Sequence, residues 1–145
     1  MRFVSWMLAL SLAALAAPPA NGQQAQVFDG YEVHYSTLNT NMLSPEIASA
    51  YGIQRSGTQA MLNITVLDRE TREAVAASVD VTATNLTGQR RDVELRRIDD
   101  QGAIYYIGQF RIHDEETLNF DVLVRPSGAE DGPYELKFRQ QFYTG

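Results

Sequence analysis

Apolar and polar residues alternate with a period of two in a series of short segments that begins at Val27. Leu62, Ile64 and Val66, for example, are separated from one another by single polar residues. Successive side chains of a β-strand point to opposite faces of a sheet, so this alternation is typical of strands that bury one face. About seven segments carry it, at residues 33–35, 62–66, 75–83, 93–95, 104–112, 118–124 and 136–142. The chain is therefore predicted to be all-β.

Turn-forming residues separate these segments and predict how the strands connect. Gly, Asn, Asp and Pro recur at residues 68–73, 85–88, 99–102, 114–117 and 126–133. These residue types supply fixed or positive φ angles, or side-chain-to-backbone hydrogen bonds, which allow a strand to reverse. Short strands joined in this way favour an immunoglobulin-like antiparallel β-sandwich of about seven strands. A small β-barrel remains the alternative, because periodicity alone does not distinguish the two architectures.

One segment interrupts the β pattern and predicts a short helix after the first strand. Ser44 is placed to cap it, Pro45 occupies the first helical position, and Gly52 ends it. The apolar residues of the helix are spaced so that one side can lie on the sandwich. They are Ile47, Ala48 and Tyr51.

Residues 105–110 form the densest aromatic stretch of the chain. Alternation sends Tyr105 and Tyr106 to opposite faces of their strand, which favours core packing over an aromatic binding patch. Gly108, in the middle of the same strand, predicts a bulge or the close approach of another backbone segment.

The first 22 residues have the organisation of an export signal. Arg2 supplies a positive charge, residues 4–17 are apolar, and small residues follow. The apolar run is shorter than the roughly 20 residues that a membrane span needs, so we expect cleavage after Gly22 rather than retention as an anchor. Residues 23–145 are then expected to form a single domain, without a membrane span, in the periplasm of a Gram-negative bacterium.

Composition excludes several classes of function. The chain of 145 residues has no cysteine, which excludes disulfides, a thiolate nucleophile and cysteine-ligated metal centres. Its net charge of −6 argues against nucleic acid as a partner. The sequence has no glycine-rich phosphate loop and no Gly-x-Ser-x-Gly nucleophile elbow. We therefore expect no cofactor and no catalytic residue, and a partner that is an unidentified protein or small molecule.

A run of potential metal ligands begins at His113 and continues through Asp114, Glu115 and Glu116. Imidazole and carboxylate groups together suit a divalent ion. The spacing follows no established metal-binding motif, and turns are commonly acidic, so a solvated turn is the favoured interpretation. A metal site at these four residues is the alternative.

A second group of polar residues lies in and around the connection that contains the predicted helix. His34, Asn39, Thr40 and Arg55 are poorly suited to a core, and the connection is longer than a hairpin requires. We expect their side chains to meet at one end of the sandwich. They form either a binding site or a hydrogen-bond network that fixes the helix, and both interpretations remain open from the sequence.

Several motifs of the chain resemble a family of exported bacterial proteins known as domain of unknown function 4426. They are residues 31–35 (YEVHY), 51–56 (YGIQRS), 60–64 (AMLNI), 85–89 (NLTGQ) and 103–110 (AIYYIGQF). The resemblance covers essentially all of the chain after residue 22 and implies a periplasmic protein of Gram-negative bacteria. It brings with it no established activity, cofactor or catalytic residue.

The sequence therefore predicts a non-catalytic binding or assembly module. Sheet edges and end loops are the expected binding elements, because loops at the ends of such sandwiches commonly carry binding. A metal-handling accessory protein is the second hypothesis, and an enzyme of unknown reaction is the third.

Overall fold

The structure, a computed structural model, describes residues 23–144 of the chain. These residues contain nine strands: β1 (Gln24–Phe28), β2 (Tyr31–Asn39), β3 (Gln59–Asp68), β4 (Ala77–Asn85), β5 (Arg90–Val93), β6 (Arg96–Asp100), β7 (Ala103–Arg111), β8 (Glu116–Pro126) and β9 (Tyr134–Phe142). A 3-10 turn (Thr40–Met42) and one helix, α1 (Pro45–Tyr51), connect β2 to β3. No helix in residues 23–144 is long and apolar enough to cross a membrane. The predicted export signal, residues 1–22, lies outside the described residues.

The strands form two antiparallel sheets that pack face to face. One sheet has five strands in the order β1-β2-β3-β7-β6, and the other has four in the order β5-β4-β8-β9. Each pairing between neighbouring strands is antiparallel. The predicted all-β sandwich with one short helix is therefore confirmed, and two separate sheets exclude the barrel alternative.

The alternation at residues 93–95 predicts a single strand, but in the structure the chain crosses from one sheet to the other at these residues. β5 ends at Val93 in the four-stranded sheet, and β6 begins at Arg96 in the five-stranded sheet. The crossing passes directly over Gly108, where a Cβ would lie 2.7 Å from the carbonyl oxygen of Glu94. The predicted close approach at Gly108 is confirmed, and one predicted strand becomes two.

β1 is the other strand that the alternation does not reveal. Its sequence, QAQVF, alternates over only four residues, Gln24 to Val27, and all four are exposed. β1 is an edge strand held by backbone pairing with β2, so burial does not impose a pattern on it. The described chain thus has nine strands rather than about seven, and α1 follows β2 rather than the first strand.

The core lies between the sheets and is built from alternate residues of each strand. In β8, for example, Leu118, Phe120 and Val122 face inward and are buried. The Phe120 ring lies 4.6 Å from that of Phe138 and 5.4 Å from that of Phe110, centroid to centroid. Each large apolar side chain that leaves water contributes roughly 1.5–3 kcal/mol, so these contacts hold the two sheets together.

Side-chain and backbone caps define both ends of α1. The Ser44 hydroxyl accepts a hydrogen bond from the Ile47 amide at 3.2 Å, as the sequence predicts. Gly52 ends the helix in the left-handed region, with φ of 69°. Arg96 Nη2, from β6, donates to the carbonyl oxygen of Tyr51 at 2.6 Å and so ties the end of the helix to the five-stranded sheet.

α1 covers part of the outer face of the five-stranded sheet. Ala48 in the helix and Ile53 just after it form a second buried cluster with Met61 and Ile107. Partly buried neighbours complete this cluster: Leu38, Leu43, Tyr51, Ile98 and Tyr105. Ile47 is 47% exposed, so the expectation that it lies on the sandwich is wrong. Consecutive helical residues point about 100° apart, so Ile47 points away from the sheet that Ala48 contacts. Ile53, just after the helix, is buried in the cluster with Ala48.

Candidate functional site

Three of the four predicted binding residues meet at the end of the sandwich where β2 stops. Asn39 Nδ2 donates to the carbonyl oxygen of Tyr143 at 2.6 Å, just beyond the end of β9. Thr40 is fully buried, and its hydroxyl donates to the Ser56 carbonyl at 3.0 Å and accepts from the Ser56 amide at 2.8 Å. The Arg55 guanidinium donates to a carbonyl of the 3-10 turn at 2.9 Å. These bonds join the two ends of the helical connection to each other and to β9.

His34 lies away from this end. It pairs with Thr65 in the five-stranded sheet and precedes Asn39 by five residues along β2, a separation of roughly 17 Å at about 3.3 Å per residue. Val33 faces the core, so His34 projects from the outer face of the sheet. The structure therefore brings the other three residues together without His34, because neighbours along an extended strand are separated in space. A binding role for any of the four stays a prediction.

A groove opens beside the three clustered residues, between β2 and β9. It is lined by Thr37, Leu38, Asn39, Met42, Gln140, Gln141, Phe142 and Tyr143. None of these residues is charged. Two side chains of the lining are apolar and exposed, Met42 at 64% and Tyr143 at 56%. Among these lining residues, only Asn39 is a site residue predicted from the sequence.

Both walls of the groove are free strand edges. β1 pairs with β2 only as far as Tyr35, so residues 36–39 pair on one side alone, with β3, in the described part of the chain. β9 is the last strand of its sheet and, among residues 23–144, pairs only with β8. A free edge presents backbone N–H and C=O groups that no neighbouring strand uses. The groove therefore offers backbone hydrogen bonds from both sides.

The predicted metal-binding run, residues 113–116, lies at this same end, in the turn between β7 and β8 and the first residue of β8. Two guanidinium nitrogens of Arg91 lie 2.7 Å from the two carboxylate oxygens of Glu116. Asp114 Oδ1 accepts a hydrogen bond from the Thr144 amide at 3.0 Å. No group of three or more His, Asp or Glu side chains within residues 23–144 is placed to hold a metal ion. The carboxylates of Asp114 and Glu116 thus bind protein groups, and metal binding by this run stays a prediction.

Glu116 is the most perturbed carboxyl group at this end of the sandwich. The hydrogen bonds from Arg91 lower its pKa to about 2, against an ordinary value of 4.5, although partial burial acts in the opposite direction. Asn85 Nδ2 and the His113 amide, each 3.3 Å away, donate to the same carboxylate. Arg91 is not among the site residues predicted from the sequence. The available signal was that alternation puts Arg91 on the same inward face of its strand as Val93.

The comparisons with known proteins agree with this architecture. Residues 25–145 match the family described as "Domain of unknown function (DUF4426)". Among solved structures, the chain is similar to a DUF4426 family protein from Pseudomonas aeruginosa PAO1, with 34% identity and a TM-score of 0.75. That match covers 86% of this chain and 97% of the other. No curated protein sequence matches the chain.

A more distant similarity is to FetP from uropathogenic Escherichia coli strain F11. FetP as isolated after expression in the periplasm of Escherichia coli has 10% identity and a TM-score of 0.59, over 85% of this chain and 95% of that one. A copper-bound FetP variant has 11% identity and a TM-score of 0.60, over 84% and 95%. At this level of identity the similarity shows a shared fold alone.

Proposed function

The chain belongs to the DUF4426 family, a family of unknown function, and we propose that it is a non-catalytic binding module of the periplasm. Its proposed ligand is an extended, uncharged segment of a partner protein that lies in the groove between β2 and β9. The observation that carries the proposal is that two free strand edges face one uncharged groove.

An extended segment suits this groove because a strand that is added to a free edge pairs through its backbone. Natural edges are commonly protected by charged side chains. β9 carries Glu135, Lys137 and Arg139 along its first part, but its last three residues, 140–142, are uncharged. Those three residues are the ones that line the groove. Strand addition is therefore favoured at the groove end of β9.

The lining also selects the chemistry of the segment. The chain has 12 basic and 18 acidic residues, yet none of them lines the groove. Burial of an unpaired charge costs several kcal/mol, which disfavours a charged ligand. The amide oxygens of Asn39 and Gln140 can accept hydrogen bonds from a neutral polar backbone, while Met42 and Tyr143 supply apolar contacts. An uncharged segment of mixed polarity is thus the best match.

The proposal is one of binding rather than catalysis because of the functional groups in the groove. They are amides, the hydroxyls of Thr37 and Tyr143, a thioether and aromatic or aliphatic side chains. Imidazole, carboxylate and amine groups, which most often transfer protons in enzymes, do not occur in this lining. The proposed periplasmic location is supported by the signal-like residues 1–22 and by the fold shared with FetP, which was expressed in the periplasm.

Photo-crosslinking in living cells of the source bacterium tests the proposal. A benzophenone amino acid replaces Gln140 in the groove and, in a matched protein, Leu86, which is 66% exposed in the β4–β5 turn. We expect a crosslinked product at Gln140 only, with the attachment point in an uncharged segment of the partner. Met42→Glu and Tyr143→Glu should abolish the product while changing stability by no more than about 0.5 kcal/mol, because both side chains are exposed.

A synthetic peptide with the sequence around the attachment point provides the second measurement. We expect it to bind the purified protein and to shift the backbone amide resonances of residues 140–142. The proposal is overturned by the lack of any product at Gln140, by equal products at Gln140 and Leu86, or by attachment within a charged segment.

A further inference from the structure

The backbone groups of β2 point alternately toward β3 and toward the opposite edge. Just before β2, the Arg69 amide donates to the Gly30 carbonyl oxygen at 2.9 Å, and the antiparallel register then continues without a break to residue 39. In such a ladder every second residue bonds to the neighbouring strand. Leu38 therefore bonds to β3, whereas Thr37 and Asn39 direct their N–H and C=O groups away from β3.

Three of these outward backbone groups have no strand beside them at the groove. β1 uses the outward groups of β2 only as far as Tyr35, which pairs with Gln24. Within residues 23–144, no strand pairs with Thr37 on this side. The Asn39 carbonyl oxygen accepts at the start of the 3-10 turn. The free groups are thus the N–H and C=O of Thr37 and the N–H of Asn39.

The β9 wall of the groove has fewer free acceptors. The Gln141 carbonyl oxygen accepts from Gln140 Nε2 at 3.0 Å, and the Tyr143 carbonyl oxygen accepts from Asn39 Nδ2 at 2.6 Å. A strand that extends a sheet needs both donors and acceptors from the edge that it joins. Of the two walls, β2 therefore offers the more complete edge, and β9 contributes amides and side chains.

We propose that the partner segment continues the line of β1 along the edge of β2 and runs antiparallel to β2, an inference that rests on the proposed function. One segment residue donates to the Thr37 carbonyl oxygen and accepts from the Thr37 amide. The carbonyl oxygen two residues earlier accepts from the Asn39 amide. All pairings within this sheet are antiparallel among the described strands, and antiparallel pairs are slightly more stable than parallel ones. Beyond the residue opposite Thr37 the segment turns away, because β1 occupies the rest of the edge.

This register determines which segment residues are accepted. The residue opposite Thr37 needs an N–H group, so proline is excluded there. The residue opposite Leu38 directs its own N–H away from β2, so proline is tolerated at that place. Its side chain lies beside Leu38, which packs against the buried cluster beneath α1, so an apolar side chain is favoured. The segment is thus expected to carry one apolar residue between two residues that face the groove.

Amide hydrogen exchange tests the edge of β2 with an attached probe. The register of β1 places a residue directly before Gln23 opposite Thr37. Purified protein that begins at Gln23 is compared with protein that carries Thr-Val-Thr-Val-Thr before Gln23. We expect the added residues to slow exchange of the Thr37 and Asn39 amides by at least about tenfold. The Leu38 amide, which bonds to β3, should be unchanged.

A proline moved by one place provides the matched pair of variants. Thr-Val-Thr-Val-Pro places proline opposite Thr37, where it cannot donate, and should lose the slow exchange. Thr-Val-Thr-Pro-Thr places it opposite Leu38 and should retain the slow exchange. Unchanged exchange of Thr37 and Asn39 with Thr-Val-Thr-Val-Thr, or equal protection with all three probes, overturns the register.

Crosslinking at Gln140 connects this edge to the partner. Thr-Val-Thr-Val-Thr inserted between Gly22 and Gln23 leaves the export signal unchanged and should reduce the product at Gln140 by at least about tenfold, because the attached segment competes at a high effective concentration. Thr-Val-Thr-Val-Pro should restore the product. A product that persists beside a protected Thr37 amide overturns this inference and leaves the proposed function intact. The lack of a product without any insertion overturns both.

Discussion

Arg91 and Glu116 form a two-point ion pair, with both nitrogen–oxygen distances at 2.7 Å, that closes one end of the sandwich core. Arg91 stands on the same face of β5 as the buried Val93, and Glu116 stands on the same face of β8 as the buried Leu118. Arg91 Nη1 also donates to the Arg111 carbonyl oxygen of the facing sheet at 3.2 Å. The pair therefore satisfies polar groups at the margin of the core and links the two sheets.

This pair predicts a loss of stability in acid. Arg91 holds the pKa of Glu116 at about 2, below the ordinary 4.5. A carboxyl group whose pKa is lowered by folding stabilises the folded state above its unfolded pKa, and this contribution is lost as the pH falls from about 4.5 to about 2. A shift of this size corresponds to at most about 3 kcal/mol. Urea denaturation at a series of pH values should show the loss.

Glu116→Gln isolates this contribution from that of other carboxyl groups. Because the variant leaves Arg91 without its charged partner, we expect it to be less stable than the wild type by about 3 kcal/mol at neutral pH. The difference should shrink as Glu116 becomes protonated in the wild type. A difference that stays constant between neutral pH and pH 2 would contradict the assignment of the low pKa to Glu116.

Gly108→Ala is predicted to destabilise the fold. The added Cβ would lie 2.7 Å from the Glu94 carbonyl oxygen and equally close to side-chain atoms of Val93 and Leu95. The backbone crossing between the sheets has to move, and overpacking of this kind costs about 1–3 kcal/mol. Urea denaturation measures the loss. Gly30→Ala is the matched control, because a Cβ at Gly30 meets nothing within 4 Å, and it should be nearly neutral.

The period of two predicted much of this fold because burial on one face of a strand imposes it. Tyr106 faces inward, where its hydroxyl accepts a hydrogen bond from the Ala77 amide at 2.8 Å, and Tyr105 faces outward beneath the helix. The period of two does not predict strands correctly where burial on one face does not constrain the residues, or where the chain changes sheet. β1 is an exposed edge, and Val93 and Leu95 both contact the core from different sides of the crossing. Alternation therefore continues through a change of sheet.

The candidate site was predictable only where it is local in sequence. Asn39, Thr40 and Arg55 flank one connection, so their proximity follows from the length of that connection. The other wall of the groove comes from residues 140–143, and the bond between Asn39 and Tyr143 spans 104 residues. The periodicity of either segment does not predict its contact with the other, because that contact depends on how the two sheets stack.

Thr40→Val is predicted to lower the free energy of unfolding by about 1–3 kcal/mol. Valine keeps the shape of threonine but removes both hydrogen bonds to Ser56, and this leaves the Ser56 amide without its acceptor. Thr40→Ser retains the hydroxyl and is the matched control. Urea denaturation of the two variants should place Thr40→Ser well above Thr40→Val. Equal stability of the two would contradict a structural role for the hydroxyl.

Arg55→Ala distinguishes the two interpretations of the polar group. The Arg55 bond to the Asn41 carbonyl is exposed, so its loss should cost less than about 1 kcal/mol. If Arg55 serves the binding site, the variant should keep its melting temperature and weaken the crosslink at Gln140. A melting temperature lowered as far as in Thr40→Val would instead favour a network that only fixes the helix.

The mature chain is predicted to begin at Gln23, one residue before β1. Cleavage after Gly22 places Ala20 and Gly22 at the −3 and −1 positions, where small residues are required. It also leaves the whole of β1 to pair with β2. Cleavage farther along the chain would remove residues of β1 and lengthen the free edge of β2, which would create a site for unwanted strand pairing.

Intact mass spectrometry of periplasmic and membrane fractions tests this processing. The wild-type protein should appear in the periplasmic fraction with the mass of residues 23–145. Ala20→Arg puts a large charged residue at −3 and should leave uncleaved protein, starting at Met1, in the membrane fraction. Asn21→Arg adds the same side chain at −2, where size is not constrained, and should be processed normally. A wild-type mass that corresponds to any other first residue would contradict cleavage after Gly22.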